Sequence, residues 1–408
     1  MKFLNFGSCN VDYVYSLDHI VRIGETQSCN SMKVFAGGKG LNQSIALSRA
    51  GEKVYHAGCV GADGDMLLDV LRDNGVDISY VKRVKEKNGH AIIQVSRDAE
   101  NSIFIYPGSN AMVTMEYVDE VLSHFERGDV LLLQNEINCL EYIIEQASTK
   151  GMFILLNPSP INETVFAIDL DRISCIVLNE GELQDISGKN TPEEGLACLL
   201  EKHKDLRIML TLGKDGCIYQ DASVSVYCPI FETVAVDTTA AGDTFTGYFA
   251  AELAKGTDMK KALRLASCAA AIAVSKHGAA PSIPLRHEVV SAMSTMRMAN
   301  VDRHARAVLR QIQQYVEEHL ATASLNDLAR LLGYSTVYMG TLVKKATGLS
   351  FKKLLQDKRL SVAADLLSTT DLPIGEIIRS VGYENEHYFR EKFKERYSQN
   401  PLAYRKIK

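Results

Sequence analysis

The chain has 408 residues with 45 Lys and Arg against 50 Asp and Glu, a net charge of −5, and it exceeds what one hydrophobic core ordinarily organises, so two domains are expected. The charge is uneven: residues 301–408 carry 18 basic against 12 acidic side chains, net +6, and the remainder 27 against 38, net −11, a pattern that fits a nucleic-acid-binding appendage on an acidic enzyme and equally a solvated surface. Nine cysteines, all before position 270 and none in a Cys-x-x-Cys pair, argue against a disulfide framework or a zinc site, and the lack of a signal-peptide core or an apolar run of about 18 residues excludes a membrane span and leads us to expect a cytoplasmic location.

In chain order, residues 3–6, 53–59, 130–134, 153–156, 175–178, 208–212 and 218–219 read as strands, with helices over 41–50, 66–74 and 193–204 between them. Continuous apolar runs such as Val130-Leu131-Leu132-Leu133 suit parallel strands covered on both faces, so the first 285 residues read as an α/β doubly wound sheet. Residues 89–106 differ, alternating through Ile93 and Val95, then Ile103 and Ile105, around the tip Arg97-Asp98-Ala99-Glu100-Asn101. That is a hairpin pattern, suited to a β lid. From 286 to 320 there is neither Gly nor Pro, which predicts a short, stiff helical linker over 296–304. Residues 305–408 contain no strand-like run, and Gly333-Tyr334 and Gly382-Tyr383 mark an internal repeat. The tail reads as an all-α domain with two helix-turn-helix units, and the first domain as ending at 295.

Three segments carry chemistry. Val236-Asp237-Thr238-Thr239-Ala240-Ala241-Gly242-Asp243 fits a turn that opens a helix, where unpaired backbone N–H groups and the helix dipole seat a phosphate. Asp243 then stands where it can take the proton of an attacking hydroxyl, or serve as a plain helix N-cap. Gly37-Gly38-Lys39-Gly40-Leu41-Asn42-Gln43 lacks the spacing of a P-loop, and Lys39 and Asn42 suit polyol hydroxyls. Asn179-Glu180-Gly181-Glu182 can hold water on Mg²⁺ or start a surface helix.

Taken in order, these segments, with Gly7-Ser8-Cys9-Asn10-Val11-Asp12, Gln134-Asn135-Glu136, Asn157-Pro158-Ser159-Pro160, Thr211-Leu212-Gly213-Lys214-Asp215-Gly216 and Gly278-Ala279-Ala280-Pro281-Ser282-Ile283-Pro284, resemble the ribokinases of the PfkB-type carbohydrate kinase family across residues 1–290. The resemblance implies an ATP-dependent sugar kinase. It implies a sugar held by Asp12, Gly38, Lys39, Asn42 and Glu136, with Asp243 as base and Ala240, Ala241 and Gly242 as the anion hole. Asn179 and Glu182 would organise Mg²⁺ and phosphate, and Thr211, Gly213 and Gly216 would lie against ATP. An activating K⁺ would be held by Asp237, Thr239, Ala273, Lys276, Gly278 and Ser282, mostly through carbonyls. Leu178, where the family commonly has proline, and Gly181 and Leu41 depart from the pattern. The Gly38-Lys39-Gly40 and Asp-Thr-Thr-Ala-Ala-Gly-Asp forms favour ribose, with another pentose or a deoxy-pentose as the alternative. The family also implies a homodimer formed through the lid.

In the tail, Ser324-Leu325-Asn326-Asp327 has capping-box form before Leu328, Leu331 and Leu332, and Gly333 turns the chain into a helix over 336–347. Pro373 opens a second copy whose last helix, 385–397, carries Arg390, Lys392, Lys394 and Arg396. With Lys358-Arg359-Leu360, His387-Tyr388-Phe389-Arg390 and Asn400-Pro401-Leu402-Ala403-Tyr404-Arg405, residues 308–405 resemble the AraC-type DNA-binding domain. The resemblance implies two recognition helices in adjacent major grooves of double-stranded DNA, with Val337, Gly340 and Thr341 in the first and Glu386, His387, Arg390 and Glu391 in the second. Lys344, Lys345 and Lys394 add positive charge for phosphates. Val337 and Gly340 offer no side-chain hydrogen bond, so the first helix is expected to read thymine methyls or shape. The whole reads as a sugar kinase fused to a transcriptional regulator, or as a regulator whose kinase fold only senses sugar.

Overall fold

The structure is a computed structural model that describes residues 1–97, 101–299, 303–347 and 349–405, without the side chains of 303–309, 345 and 346. The hairpin tip at Asp98, Ala99 and Glu100, the linker positions 300–302 and the Lys345 side chain lie outside the described residues. The chain divides into two compact units, Met1–Ala299 and Asn300–Lys408.

The strands described in the first unit are β1 Phe3–Phe6, β2 Asn10–Ser16, β3 Ser31–Gly37, β4 Val54–Val60, β5 Asp77–Arg83, β6 Gly89–Val95, β7 Asn101–Tyr106, β8 Val130–Gln134, β9 Phe153–Asn157, β10 Cys175–Asn179, β11 Arg207–Thr211, β12 Cys217–Gln220 and β13 Ser225–Cys228. Nine form one sheet in the order β13-β12-β11-β10-β9-β8-β1-β4-β5. It is parallel from β11 through to β5, with β12 and β13 antiparallel at one edge. The apolar runs have the expected cause: Val130 and Leu132 enter the core on one face, Leu131 and Leu133 the core on the other. Helices cover both faces, so alternation of apolar and polar residues is absent.

The other four strands form the sheet β3-β2-β6-β7. The expected hairpin is β6 paired antiparallel with β7, from His90 opposite Tyr106 to Val95 opposite Asn101. Sequence reading missed β2 and β3, which complete this sheet and bring Asp12 opposite Phe35.

Of the linker expected as helical over 296–304, residues 296–299 are a correction, while 303 and 304 open the helix Arg303–Glu318. The helix Arg286–Thr295 ends at Met296, whose φ of −74° and ψ of 138° are extended. Residues 296–299 then spend their backbone groups on a bridge: Glu232 N–H donates to the Arg297 carbonyl and Ala299 N–H to the Ile230 carbonyl, both at 2.8 Å. Met296 and Met298 pack on the core, and apolar burial with cross-chain pairing outweighs helix propensity there.

The elements of the second unit among its described residues are all helices, with Leu325–Leu331 and Thr336–Thr347 as one pair and Ile374–Ser380 and Glu386–Tyr397 as the other. The 19-residue helix Phe351–Thr369 joins them. Its Phe351 and Leu355 belong to the first pair's core, and its Leu360, Ala363, Ala364 and Leu367 to the second's. Arg359 on the same helix donates to the carbonyls of Leu320 and Ala321 and lies over the Tyr383 ring.

Candidate active site and DNA-reading helices

Asp243 is the third residue of the helix Ala241–Ala254, whose N-cap, Ala240, has a left-handed φ of 58°. The carboxylate caps no amide of its own helix. Instead Oδ1 accepts from Gln43 Nε2 and Oδ2 from Asn42 Nδ2, each at 2.9 Å. Two segments 200 positions apart are thereby joined, which the plain N-cap reading does not explain. Burial pushes the Asp243 carboxyl up, opposed by Lys39 and by the two amide donors.

Glu136 follows β8 and its side chain is 7% exposed. Its Oε2 accepts from Ser8 Oγ and from the Lys39 backbone N–H at 3.0 Å, and its Oε1 lies 3.5 Å from Lys39 Nζ. Burial would lower the Lys39 ammonium, yet the carboxylates of Glu136 and Asp243 hold it above the ordinary value. Asp12, on β2, fills the space over Gly37, where a Cβ would meet its Oδ2 at 2.0 Å. Burial, then the nearby Glu136 and Asp243, raise its carboxyl to about 7, with Lys39 opposing. Gly38 is the N-cap of the helix Lys39–Arg49. Asp12, Gly38, Lys39, Asn42, Glu136 and Asp243 thus share one neighbourhood. Asn42 Oδ1 is buried without a hydrogen-bond partner there.

The turn before Asp243 differs in one respect from expectation. The Ala241 N–H donates to the Thr238 carbonyl at 3.2 Å, so this amide is turned inward by the left-handed Ala240. Gly242 is exposed, and a Cβ on it would meet nothing within 4 Å. No internal crowding requires glycine there; open space for a ligand's close approach remains.

Asn179 and Glu182 form a reciprocal capping box: Glu182 N–H donates to Asn179 Oδ1 and Asn179 N–H to Glu182 Oε2, each at 2.9 Å. The helix-start reading holds for both, and Glu182 Oε1 and Asn179 Nδ2 remain outside that pairing. Thr211 ends β11 with its hydroxyl on the Leu178 carbonyl. Gly213 and Gly216 bound the turn into β12, at φ 54° and 97°. The positions nominated for a cation fall in two segments that Asp237 clips together, its Oδ1 accepting from Thr239 N–H and its Oδ2 from Gly278 N–H, each at 2.9 Å. Those bonds hold its carboxyl below the ordinary range although burial opposes them. Ala273 and Ser282 are buried in the second segment, where the Ala273 carbonyl already accepts from Lys276 N–H. Among the described residues no group of three or more His, Cys, Asp and Glu could hold a metal.

Sequence reasoning missed Gln43, Gln134 and Asn157 as contributors. Gln134 and Asn157 end the apolar strands β8 and β9, and polar residues at the carboxyl ends of parallel strands are a signal for a ligand crevice.

In the second unit Val337 is 83% exposed, and Thr341, Lys344, Glu386, His387, Arg390, Glu391 and Lys394 are also exposed. Gly340 is half-buried. The Thr341 hydroxyl donates back to the Val337 carbonyl at 3.2 Å, and Arg390 lies 3.6 Å from Glu386. Lys392 and Arg396 are engaged by Glu395 and Asp357.

A family model described as pfkB family carbohydrate kinase matches residues 2–286, and one for a helix-turn-helix domain matches 328–407. Ribokinase of Bacillus subtilis is 34% identical over 296 residues, covering 71% of this chain and 98% of the relative. Deoxyribokinase of Salmonella typhimurium is 29% identical over 288 residues, covering 68% and 94%. The solved structure of Arabidopsis thaliana ribokinase complexed with ribose and ATP is 29% identical and matches with a TM-score of 0.63, covering 72% of this chain and 98% of that one.

Proposed function

The chain belongs to the pfkB family of carbohydrate kinases and is a sugar kinase fused to an AraC-type helix-turn-helix domain; on that premise we propose that it phosphorylates D-ribose to ribose 5-phosphate with ATP and regulates transcription by binding operator DNA. The observation that carries the kinase reading is the Asp243 carboxylate held by Asn42 and Gln43 beside Lys39 and Glu136. Asp12, Glu136, Lys39 and Asn42 bind sugar hydroxyls, the unpartnered Asn42 Oδ1 accepting one of them. Asp243 takes the proton as the primary hydroxyl attacks the terminal phosphorus in line. The helix N-terminus at Gly242 favours the charge on the transferred group.

Glu182 Oε1, left over from the capping box, fits a water-mediated Mg²⁺ site and the Asn179 Nδ2 amide can donate to a phosphate oxygen; a bound Mg²⁺ would supply charge neutralisation on the phosphates. The 237–239 and 273–282 segments fit K⁺, whose ligands are typically carbonyl oxygens. In the second unit, Val337 and Thr341 on one helix and Glu386, His387 and Arg390 on the other read bases, while Lys344, Lys345 and Lys394 meet phosphates. The exposed lid residues Ile103, Phe104, Ile105 and Tyr106 support a homodimer.

A second sugar is favoured by one finding, the 29% identity to a deoxyribokinase. ADP release measured across ribose, 2-deoxyribose and other pentoses, with and without K⁺, separates the readings. Ribose should give the highest kcat/KM. A preference for deoxyribose would replace the substrate, and the absence of turnover on every pentose would leave only a sugar-sensing regulator.

A further inference from the structure

The Asp243 carboxylate is one end of a continuous buried chain of side-chain amides. Gln43 Nε2 donates to Asp243 Oδ1 at 2.9 Å and to Asn157 Oδ1 at 3.3 Å. Gln43 Oε1 accepts from Gln134 Nε2 at 2.7 Å, which also donates to Asn5 Oδ1 at 3.0 Å. Asn5 Nδ2 donates to the Gly40 carbonyl at 2.6 Å and to Ser44 Oγ at 2.8 Å. The Ser44 hydroxyl meets His56 Nδ1 at 2.8 Å, and His56 Nε2 meets Cys9 Sγ at 3.3 Å. Asn5, Gln43, Ser44, Gln134 and His56 are all fully buried.

Proton counting fixes the orientation of every amide in this chain, with Gln134 donating both ways, to Gln43 on the Asp243 side and to Asn5 on the other. A carbonyl at Gly40 and a carboxylate at Asp243 only accept, so each amide must turn its NH₂ toward the acceptor it faces. Asn5, Gln134 and Gln43 then use both amide protons on two acceptors each, and none can flip without setting oxygen against oxygen. Ser44 accepts from Asn5 and keeps a second lone pair, so the direction of its contact with His56 Nδ1 follows the imidazole tautomer. Burial lowers the His56 pKa to about 4, so the imidazole at that end of the chain is neutral.

We propose that Gln43, Gln134 and Asn5 are positioning residues for phosphoryl transfer: the amide relay, each member held in one orientation, fixes the rotamer of Asp243 and holds its Oδ1, leaving the Oδ2 edge beside Asn42 to take the substrate proton. The relay reaches across β1 and β8, adjacent interior strands in which every residue is buried, so the base is anchored to the core of the sheet. The inference rests on Asp243 being the base. Lys39, Glu136 and Asp12 also face that carboxylate, and none is altered by changing the relay.

The test is the pH dependence of kcat in the full chain with Gln43→Met and Gln134→Met, which keep approximate shape and remove the donors. An amide donor favours the charged carboxylate, so its loss moves the acid limb of the profile to higher pH. Gln43→Met should lose about 100-fold in kcat. Gln134→Met, which touches neither Asp243 nor the sugar residues, should shift the limb in the same direction by less. Sugar affinity, read by calorimetry, should stay within about twofold, because binding and turnover separate when only the reacting group is displaced. Wild-type turnover in the same assay is the control for the kinase reading: if it is absent, that reading fails. With an active wild type, an unmoved acid limb in Gln43→Met, or two variants that do not fold, overturns the relay and assigns the network to stability alone.

Discussion

Burial raises the Asp12 carboxyl to about 7, with Glu136 and Asp243 adding to the shift, and this has a stability consequence. The folded pKa lies above the unfolded one, so the contribution to stability is complete at low pH and is lost as pH rises toward and through 7. Asp12→Asn should therefore be more stable than wild type at pH 8, on the order of 1–2 kcal/mol after allowance for solvent. The gap should close as pH falls toward 4, in thermal melts of the sugar-free protein. The same variant should lose sugar affinity, because a carboxylate that accepts from hydroxyls is gone. Asp243→Asn should behave oppositely: sugar binding spared, and kcat reduced by at least about 100-fold with loss of the base. A variant that kept most of its rate would remove Asp243 from the mechanism. Charged and glycine-flanked positions such as Asp243 and Lys39 were legible in the sequence because the chemistry shows in the residue type. Gln43 and Gln134 were not, since an uncharged amide carries no signal of a partner 91 positions away.

At the level of elements, the apolar strands β1, β8, β9 and β10 were readable because both of their faces are buried. β2 and β3 were not, since Asn10–Ser16 and Ser31–Gly37 mix Asn, Asp, Tyr, Ser and Lys. Their sheet is half-exposed and carries apolar side chains such as Met32 and Val34 at its surface, so no continuous buried run marks it in the sequence. The two helix-turn-helix turns were read from one glycine each, and the structure separates what those glycines do. Both have positive φ, 70° at Gly333 and 85° at Gly382. A Cβ on Gly333 meets nothing within 4 Å, whereas on Gly382 it would lie 2.4 Å from the Ala321 carbonyl oxygen and 2.6 Å from Ala321 Cα. Gly333→Ala should cost about 1 kcal/mol, the left-handed penalty alone. Gly382→Ala adds a backbone clash and should cost about 3 kcal/mol, enough to loosen the second recognition helix. Hydrogen exchange at 386–397 checks this: faster exchange in Gly382→Ala and near-unchanged exchange in Gly333→Ala is the expected pair, and equal effects would deny the clash any role.

For the whole molecule, the question is whether an acidic kinase unit and a basic DNA-binding unit are one machine or two. The kinase site takes the products of its own reaction as well as its substrates, so a coupled regulator would report the sugar's phosphorylation state as well as its presence. Coupling is a free energy, and it is reciprocal: if sugar and nucleotide change operator affinity by some factor, operator DNA must change sugar affinity by the same factor. We expect ribose with a non-hydrolysable ATP analogue to shift the operator Kd by about 5-fold or more, using duplexes selected by the full chain from a random pool. Calorimetric titration of ribose with and without that duplex should return the same factor. Salt supplies an internal control: if liganded and free protein hold DNA phosphates with the same Lys and Arg side chains, slopes of log Kd against log salt should be equal. A slope that changed with ligand would mean that the sugar alters which phosphates are held. Identical Kd values with and without ligand would leave two independent activities carried on one chain.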